Sequence, residues 1–238
     1  KKVKVHIKVD TGMGRIGVAP EDAVQLLASV SRLEGLDVEG LFTHFACADD
    51  KANSFTKVQL DRFQKVVADI AQEGYTVPAI LHSANSWATQ YFPETQLDLV
   101  RTGIVLYENV LTFKTHVAYV KKVRAQTPIS YGSTFVTQQE SLIATLSVGY
   151  ADGFSRANSN NAEVLIRGKR YPVIGRVCMD MCMVDITGSA DIKMGDEVVL
   201  IGKQGEQEIT INEVAQRLNT ISYEVMCGIG KRVPRIYI

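Results

Sequence analysis

Apolar and polar residues alternate at the start of the chain, and this pattern predicts a β-strand over residues 3–9. A helix is predicted next, because Pro20 favours a first helical turn and apolar residues then recur at helical spacing, at Ala23, Val24, Leu27 and Val30. Gly35 is predicted to stop this helix. A strand followed by a helix is the repeating unit of a parallel sheet.

The same order of elements returns in the next stretch. A strand is predicted over residues 38–45, and a helix is predicted to begin after Ser54 and end at Gly74, with apolar positions at Val58, Phe63, Val66, Val67 and Ile70. Two short apolar runs predict further buried strands at residues 79–83 and 104–106. Successive units of this kind are typical of an α/β barrel of the TIM type.

Strand-like runs replace helical spacing beyond about Leu111. They predict strands at residues 116–123, 142–148, 163–166, 197–201 and 235–238. One short helix is predicted at 212–218, where apolar residues recur at helical spacing. The predicted fold class is therefore α/β plus mainly β. Part of an α/β (TIM-type) barrel is expected at residues 1–108, followed by a C-terminal β domain at 109–238.

The α/β region is too short to close a barrel by itself. A closed barrel of this type needs eight strands, whereas this region offers about four strand–helix units. A partial parallel sheet exposes an apolar face and an unpaired edge, which is unfavourable in a soluble monomer. We therefore expect either that another chain completes the barrel or that the sequence lacks its N-terminal part.

Charge and hydropathy exclude some classes of protein. Lys and Arg together number 26, as do Asp and Glu, so no net charge favours nucleic acid or an anionic membrane as a partner. No apolar run reaches the roughly 18 residues of a membrane-spanning helix, and no signal peptide follows Lys1. A cytoplasmic location is expected.

Cysteine and histidine show no metal-ligand spacing, so no metal is predicted. The cysteines are expected to be reduced, buried thiols: Cys47, Cys178, Cys182 and Cys227. Three histidines are expected to have structural roles: His6, His82 and His116.

A series of short motifs runs the length of the chain. In order they are KVDTGMGRIG (8–17), THFA (43–46) with AD (48–49), HSANS (82–86), VRTGI (100–104), GYADG (149–153), GRVCMD (175–180), YEV (223–225) and RVPR (232–235). Neither of the first two is specific alone. Together and in this order, the motifs resemble the alanine racemase family.

The resemblance implies an enzyme that uses pyridoxal 5'-phosphate. Members of the family join an N-terminal α/β barrel to a C-terminal β domain and act as homodimers with shared active sites. They interconvert L-alanine and D-alanine by a two-base mechanism and so supply D-alanine for cell-wall peptidoglycan. This sequence departs from the pattern in two places. Nothing matches the lysine that holds the cofactor, which in the family lies upstream of Lys1, and the domain connection at residues 107–111 is shorter than usual.

The resemblance assigns proton transfer to Tyr150, as the base opposite the missing lysine. Arg101 matches the arginine that hydrogen-bonds the pyridine nitrogen of the cofactor, where a permanent cation disfavours protonation of the ring. The ordinary pKa of a tyrosine is near 10, so the site must favour the phenolate form of Tyr150, and His44 and Arg101 are expected to do this. The alternatives are an aromatic residue of the β domain with a satisfied hydroxyl group, and an arginine that is solvated or structurally paired.

Contacts to phosphate and substrate are implied at further positions. Arg15 matches a residue that binds the substrate carboxylate, since its planar fork makes two charge-assisted hydrogen bonds. Met179 matches a substrate-contacting position, with Asp180 at the entrance beside it. Lys8 matches a lysine that carries a carbamate in many relatives, and a plain surface lysine is the alternative. Hydroxyl and backbone donors for phosphate are expected at Ser86, Gly103, Ile104 and Tyr223.

Three functions stay open. The first is alanine racemisation, which the ordered motifs imply. The second is serine racemisation, because some members of the family prefer serine. The third is a non-catalytic binding or assembly polypeptide, which is suggested by the absent lysine and the incomplete barrel.

Overall fold

The computed structural model describes residues 1–107 and 110–237, and the chain divides after Tyr107 into two compact units. The domain boundary predicted between residues 108 and 109 falls outside the described residues. Within the described ranges, no helix is both long enough and apolar enough to cross a membrane.

The first unit contains a parallel sheet whose three strands lie in sequential order. They are β1 (Val3–Lys8), β2 (Leu36–Phe42) and β3 (Ile80–His82). A 3-10 turn at Pro20–Asp22 leads into α1 (Ala23–Ser31), and α2 (Phe55–Gln72) follows β2. The short helix α3 (Ser86–Tyr91) follows β3. This alternation is the strand–helix repeat that the sequence predicts.

The two longer helices pack their apolar faces on this sheet. Leu27 of α1 and Phe63, Val66 and Ile70 of α2 are buried in one cluster with Leu41 of β2. Their spacing along α2 places all three side chains on the face toward the sheet. The helix ends at Gln72, just before the predicted stop at Gly74, whereas α1 ends at Ser31, four residues before Gly35.

The strand predicted at residues 104–106 is wrong. Ile104–Leu106 is a 3-10 helix, in which the amide of Leu106 donates to the carbonyl of Gly103 and that of Tyr107 to Ile104. Leu106 is also 62% exposed, so the apolar run is not a buried strand. In residues 1–107 the sheet therefore has three strands, rather than the expected four units.

The second unit is mainly β, as predicted. The strands of its large antiparallel sheet are β4 (Phe113–Val123), β7 (Ser141–Leu146), β8 (Glu163–Ile166), β9 (Lys169–Ile174), β10 (Cys182–Asp185), β11 (Glu197–Gln204) and β12 (Gln207–Ile209). They are ordered β12-β11-β4-β7-β10-β9-β8, and β8 also pairs with β11, so the strands from β11 to β8 form a closed ring. A separate pair is formed by β5 (Pro128–Ile129) and β6 (Phe135–Val136). Alternate side chains point into the ring and form its core.

Two helices follow the ring: α4 (Ile211–Arg217), close to the prediction, and α5 (Ser222–Gly228), which the sequence analysis missed. The strand predicted at residues 235–238 is wrong over 235–237, and residue 238 lies outside the described residues. The Arg235 side chain donates to the carbonyls of Ile229, Gly230 and Val233, which folds this segment back on itself.

All four cysteines are free thiols, but only Cys182 is buried. Burial, with a smaller effect of neighbouring Cys178, raises the pKa of Cys182 to about 12. Cys47 and Cys178 are half-buried, and Cys227 is exposed at the end of α5. The expectation of buried thiols is therefore wrong for Cys227, which lies on the outer face of a helix that the sequence analysis missed.

Candidate active site

The loop after β1 is folded around one carboxylate. Oδ1 of Asp10 accepts hydrogen bonds from the amides of Gly12, Met13 and Gly14 at 3.0, 2.8 and 3.1 Å. The hydrogen bond from Gly14, with those from the other two amides, holds the pKa of Asp10 below its ordinary value although burial opposes this. The loop presents Arg15 to solvent.

Lys8, at the end of β1, reaches the same loop. Its Nζ lies 2.5 Å from the carbonyl oxygen of Ile16, the residue after Arg15. Burial lowers the pKa of Lys8, and the positive charges of Arg15 and Arg101 add to this effect, although Asp10 opposes it. Lys8 therefore contacts the loop that carries Arg15, the residue predicted to bind the substrate carboxylate.

The segment after β2 is held by Gln59, a fully buried residue of α2. Its Oε1 accepts from the amide of Ala46 at 2.8 Å, and its Nε2 donates to the carbonyl of His44 at 3.1 Å. Thr11 and Thr43 share a hydrogen bond of 2.7 Å nearby. These polar contacts fix the backbone that carries His44.

The guanidinium of Arg101 lies at the carboxyl ends of β2 and β3. Its Nη2 donates to the carbonyls of Thr43 and Ser83 at 2.8 and 3.1 Å, and its Nη1 lies 2.6 Å from Nδ1 of His82. Nη2 also lies 3.4 Å from Nδ1 of His44. Several acceptors therefore hold this cation in one orientation.

Both histidines beside Arg101 are neutral at neutral pH. Burial, together with the nearby Arg101 cation, lowers the pKa of His44 to about 4, and the same two causes lower that of His82 to about 4. Sequence reasoning gave His82 a structural role and missed its contact with Arg101. The available signal was its place at the head of the HSANS motif, directly at the end of a strand.

Three of the residues predicted to contact phosphate come together after β3. Ser86 is the first residue of α3, and its Oγ accepts from the amide of Gly103 at 2.9 Å. Ile104 then begins the 3-10 helix. The side chain of Asn85 caps α3 by accepting from the amide of Ala88.

In the second unit, the turn that carries Tyr150 packs on the segment that carries Met179. The amide of Tyr150 donates to the carbonyl of Cys178, and the amide of Ala151 donates to that of Met179, both at 3.0 Å. Gly149 permits this approach, because a Cβ there would lie 2.3 Å from both carbonyl oxygens. Tyr150 and Met179 are 43% and 55% exposed, so both side chains are available for contacts.

Arg232, a residue of the C-terminal segment that was not predicted as part of the site, contacts this turn. Its Nε donates to Asp152 at 2.6 Å and its Nη2 to Asp180 at 2.5 Å, while Asp152 accepts from the amide of Gly149. Burial raises the pKa of Asp152, but the hydrogen bonds from Arg232 and Gly149 outweigh it and the net shift is downward. Three motifs of the sequence, GYADG, GRVCMD and RVPR, are thereby joined by one side chain.

Tyr223 lies on α5 and is half-buried. The C-terminal end of α5 packs against the turn of Tyr150, where a Cβ on Gly153 would lie 2.3 Å from the carbonyl oxygen of Gly228. Across residues 1–107 and 110–237, no three His, Cys, Asp or Glu side chains are grouped as a metal site.

Comparison with known proteins gives matches along the whole chain. Family models for the alanine racemase N-terminal and C-terminal domains match residues 1–109 and 110–237. The alanine racemase of Halothermothrix orenii is 49% identical, over 98% of this chain and 65% of its own length. The solved alanine racemase of a D-cycloserine-producing Streptomyces lavendulae has a TM-score of 0.93 at 38% identity, over 100% of this chain and 67% of its own.

A further solved structure is the alanine racemase of Bartonella henselae with covalently bound pyridoxal phosphate. Its TM-score is 0.87 at 30% identity, over 100% of this chain and 67% of its own. The chain thus spans about two thirds of the length of these relatives, 65% in the Halothermothrix protein.

These matches confirm the predicted fold class, part of an α/β barrel followed by a C-terminal β domain. The motifs and the two family models point to the same conclusion. The chain belongs to the alanine racemase family.

Proposed function

We propose that this chain forms the greater part of an amino-acid racemase that interconverts L-alanine and D-alanine on pyridoxal 5'-phosphate. The observation that carries the proposal is the fixed Arg101 guanidinium, which lies in the same unit as the Ser86–Gly103 pair. Carboxyl ends of parallel strands are where α/β barrels hold their active sites. The relatives named above support the same activity.

The residues of the first unit fit this cofactor by their donor chemistry. Arg101 would donate to the pyridine nitrogen, since a guanidinium has donors only and stays charged. The hydroxyl of Ser86 and the backbone at Gly103 and Ile104 would hold the phosphate. Tyr223, which lies on α5 of the second unit, is proposed as a further phosphate contact. When bound, the cofactor delocalises the negative charge that remains after the α-proton of an amino acid is removed.

Tyr150 would accept or donate that proton at its Oη on one face of the substrate. In the family, a lysine upstream of the position of Lys1 serves the other face. The predicted influence of His44 and Arg101 on Tyr150 remains part of the proposal. In the proposed homodimer, Tyr150 and Met179 of one protomer reach the cofactor held by the other. The exposure of these two side chains supports this arrangement.

Arg15 would bind the substrate carboxylate with its two-pronged guanidinium. The lowered pKa of Lys8 increases its neutral fraction, and the neutral amine is the form that takes up carbon dioxide. We therefore include a carbamate on Lys8, which would orient Arg15 by opposite charge, as part of the proposal. A domain boundary at residues 108–109, a cytoplasmic location and a role in supplying peptidoglycan precursor remain predictions.

A racemase assay with separate enantiomers tests the proposal. The complete protein, loaded with pyridoxal 5'-phosphate, is given L-alanine or L-serine, and chiral chromatography measures the D-enantiomer. We expect D-alanine to form with a kcat/KM at least tenfold above that for serine. Turnover of serine alone would favour the serine racemase alternative, and no turnover with bound cofactor would favour a non-catalytic polypeptide.

A further inference from the structure

A row of hydrogen bonds continues from Arg101 across the sheet. Nδ1 of His6, on β1, lies 2.8 Å from Nε2 of His82 on β3. On its other side, Nε2 of His6 lies 3.6 Å from Oε2 of Glu39 on β2. Glu39 also pairs with exposed Lys4. This row of hydrogen bonds therefore runs from Arg101 through His82 to His6, and Glu39 lies beside its end.

The chemistry of the donors fixes the direction of both hydrogen bonds, from Arg101 to His82 and from His82 to His6. A guanidinium only donates, so Nδ1 of His82 accepts from Arg101. A neutral imidazole that accepts at one nitrogen carries its proton on the other, so Nε2 of His82 donates to Nδ1 of His6. His6 then carries its own proton on Nε2, directed toward the carboxylate of Glu39.

The surroundings hold both rings in place. His82 is 5% exposed and stacks on Phe42 at a centroid distance of 4.7 Å, with an angle of 4° between the rings. The His6 ring lies against Gly40, where a Cβ would come within 2.2 Å of Nδ1. Without His6, the buried Nε2–H of His82 would be left without a hydrogen-bond partner, which is unfavourable.

We propose that His6 is a positioning residue, which holds Arg101 in its cofactor-binding orientation by accepting the hydrogen bond that Nε2 of the buried His82 donates. The inference rests on the proposed role of Arg101. Among the hydrogen bonds of the described residues, His6 is linked to His82, and His82 in turn to the guanidinium of Arg101. It acts by keeping the His82 ring in the one orientation and tautomer that can accept from Arg101.

The test compares three variants of the complete, cofactor-loaded protein. His6→Asn keeps an acceptor oxygen near the position of Nδ1, and His6→Leu keeps comparable volume without an acceptor. Lys4→Gln is the matched control, because it removes the exposed ion pair with Glu39 and leaves Nδ1 of His6 untouched. Imidazole ¹⁵N NMR reports the tautomer of His82, and a racemase assay reports kcat and KM.

We expect the unchanged protein to show His82 protonated at Nε2 only. In His6→Leu, the NMR chemical shift of the His82 Nε2–H group should change to that of a group without a hydrogen bond. In the same variant, kcat should fall on the order of tenfold, and KM should change less. His6→Asn and Lys4→Gln should both stay within about twofold of the unchanged protein.

Protonation of His82 at Nδ1 in the unchanged protein would overturn the inference, as would an impairment of His6→Asn equal to that of His6→Leu. These outcomes are separate from the proposed function. If the complete protein racemised nothing, the proposed function would fail, and the NMR result would still decide whether His6 accepts from His82.

Discussion

Nε of Arg232 lies 2.6 Å from Oδ1 of Asp152, a residue 80 positions earlier in the chain. The same guanidinium reaches Asp180. Asp152 in turn accepts from the amide of Gly149, the residue before Tyr150. One side chain of the C-terminal segment therefore braces the turn that positions the proposed base.

Arg232→Met should slow racemisation without unfolding the protein, because the turn loses its brace while the apolar stem of the side chain remains. We expect kcat to fall about three- to tenfold, since small displacements of a reacting group are costly. Steady-state kinetics with L-alanine measure the effect. Lys231→Met removes a neighbouring cation as the control. Equal kcat values for the two variants would show that the brace does not position Tyr150.

Gln59→Leu should destabilise the first unit. The substitution keeps most of the buried volume but leaves the amide of Ala46 and the carbonyl of His44 without their partner. An unpaired buried group costs about 1–3 kcal/mol, and both of these groups are only partly buried, so the free energy of unfolding should fall by roughly 2–4 kcal/mol, below the full cost of two buried groups. Urea titration measures it. Gln72→Leu, at the exposed end of α2, is the control and should change stability little.

Asp10 should make stability depend on pH in the acid range. Its folded pKa is lowered by the hydrogen bonds from Gly14 and the other loop amides. The stability that ionised Asp10 provides is therefore fully present at pH values above the ordinary aspartate pKa of about 3.9. It is lost as the pH falls through the lower pKa of Asp10 in the folded protein.

Asp10→Asn keeps an acceptor oxygen but cannot titrate. At pH 7 it should be less stable than the unchanged protein by about 1 kcal/mol, and this gap should narrow steadily below pH 4. Urea unfolding at a series of pH values gives the comparison, with exposed Asp49→Asn as a control for the loss of one charge. A gap that stayed constant from pH 7 down to pH 2.5 would show that Asp10 does not carry this dependence.

Local pattern predicted most of the long elements and few of the short ones. The apolar spacing predicted α2 correctly, because this helix packs one face on the sheet. In contrast, residues 104–106 have the composition of a buried strand but form a 3-10 turn, which is decided by hydrogen bonds to Gly103 and Ile104. The seven-residue helix α4 was predicted because it buries Ile211, Val214 and Ala215 at helical spacing. The helices α3 and α5, of six and seven residues, each bury only two residues and so show no such apolar pattern.

The residues of the candidate site were also predicted only in part from the sequence. The resemblance supplied Arg101, Ser86, Gly103, Tyr150 and Met179 through their motifs. It did not supply His6, Gln59 or Arg232 as parts of the site. Their contacts join strands or turns that are distant in the sequence, so no local pattern reveals them.

Tyr150→Phe addresses the central claim, that Tyr150 is one of two bases. The ring and its packing remain while the ionisable oxygen is removed, so the cofactor should stay bound. Racemisation in both directions should slow by about 10²–10⁴, because each direction uses one group as base and the other as acid.

The most direct measurement is incorporation of deuterium at the α-carbon, in deuterated water, from each enantiomer by the complete Tyr150→Phe protein. D-alanine should still exchange its α-proton without inversion, through the group on the opposite face, whereas exchange from L-alanine should fall with racemisation. Equal, undiminished exchange from both enantiomers, with normal racemisation rates, would show that Tyr150 is not the second base.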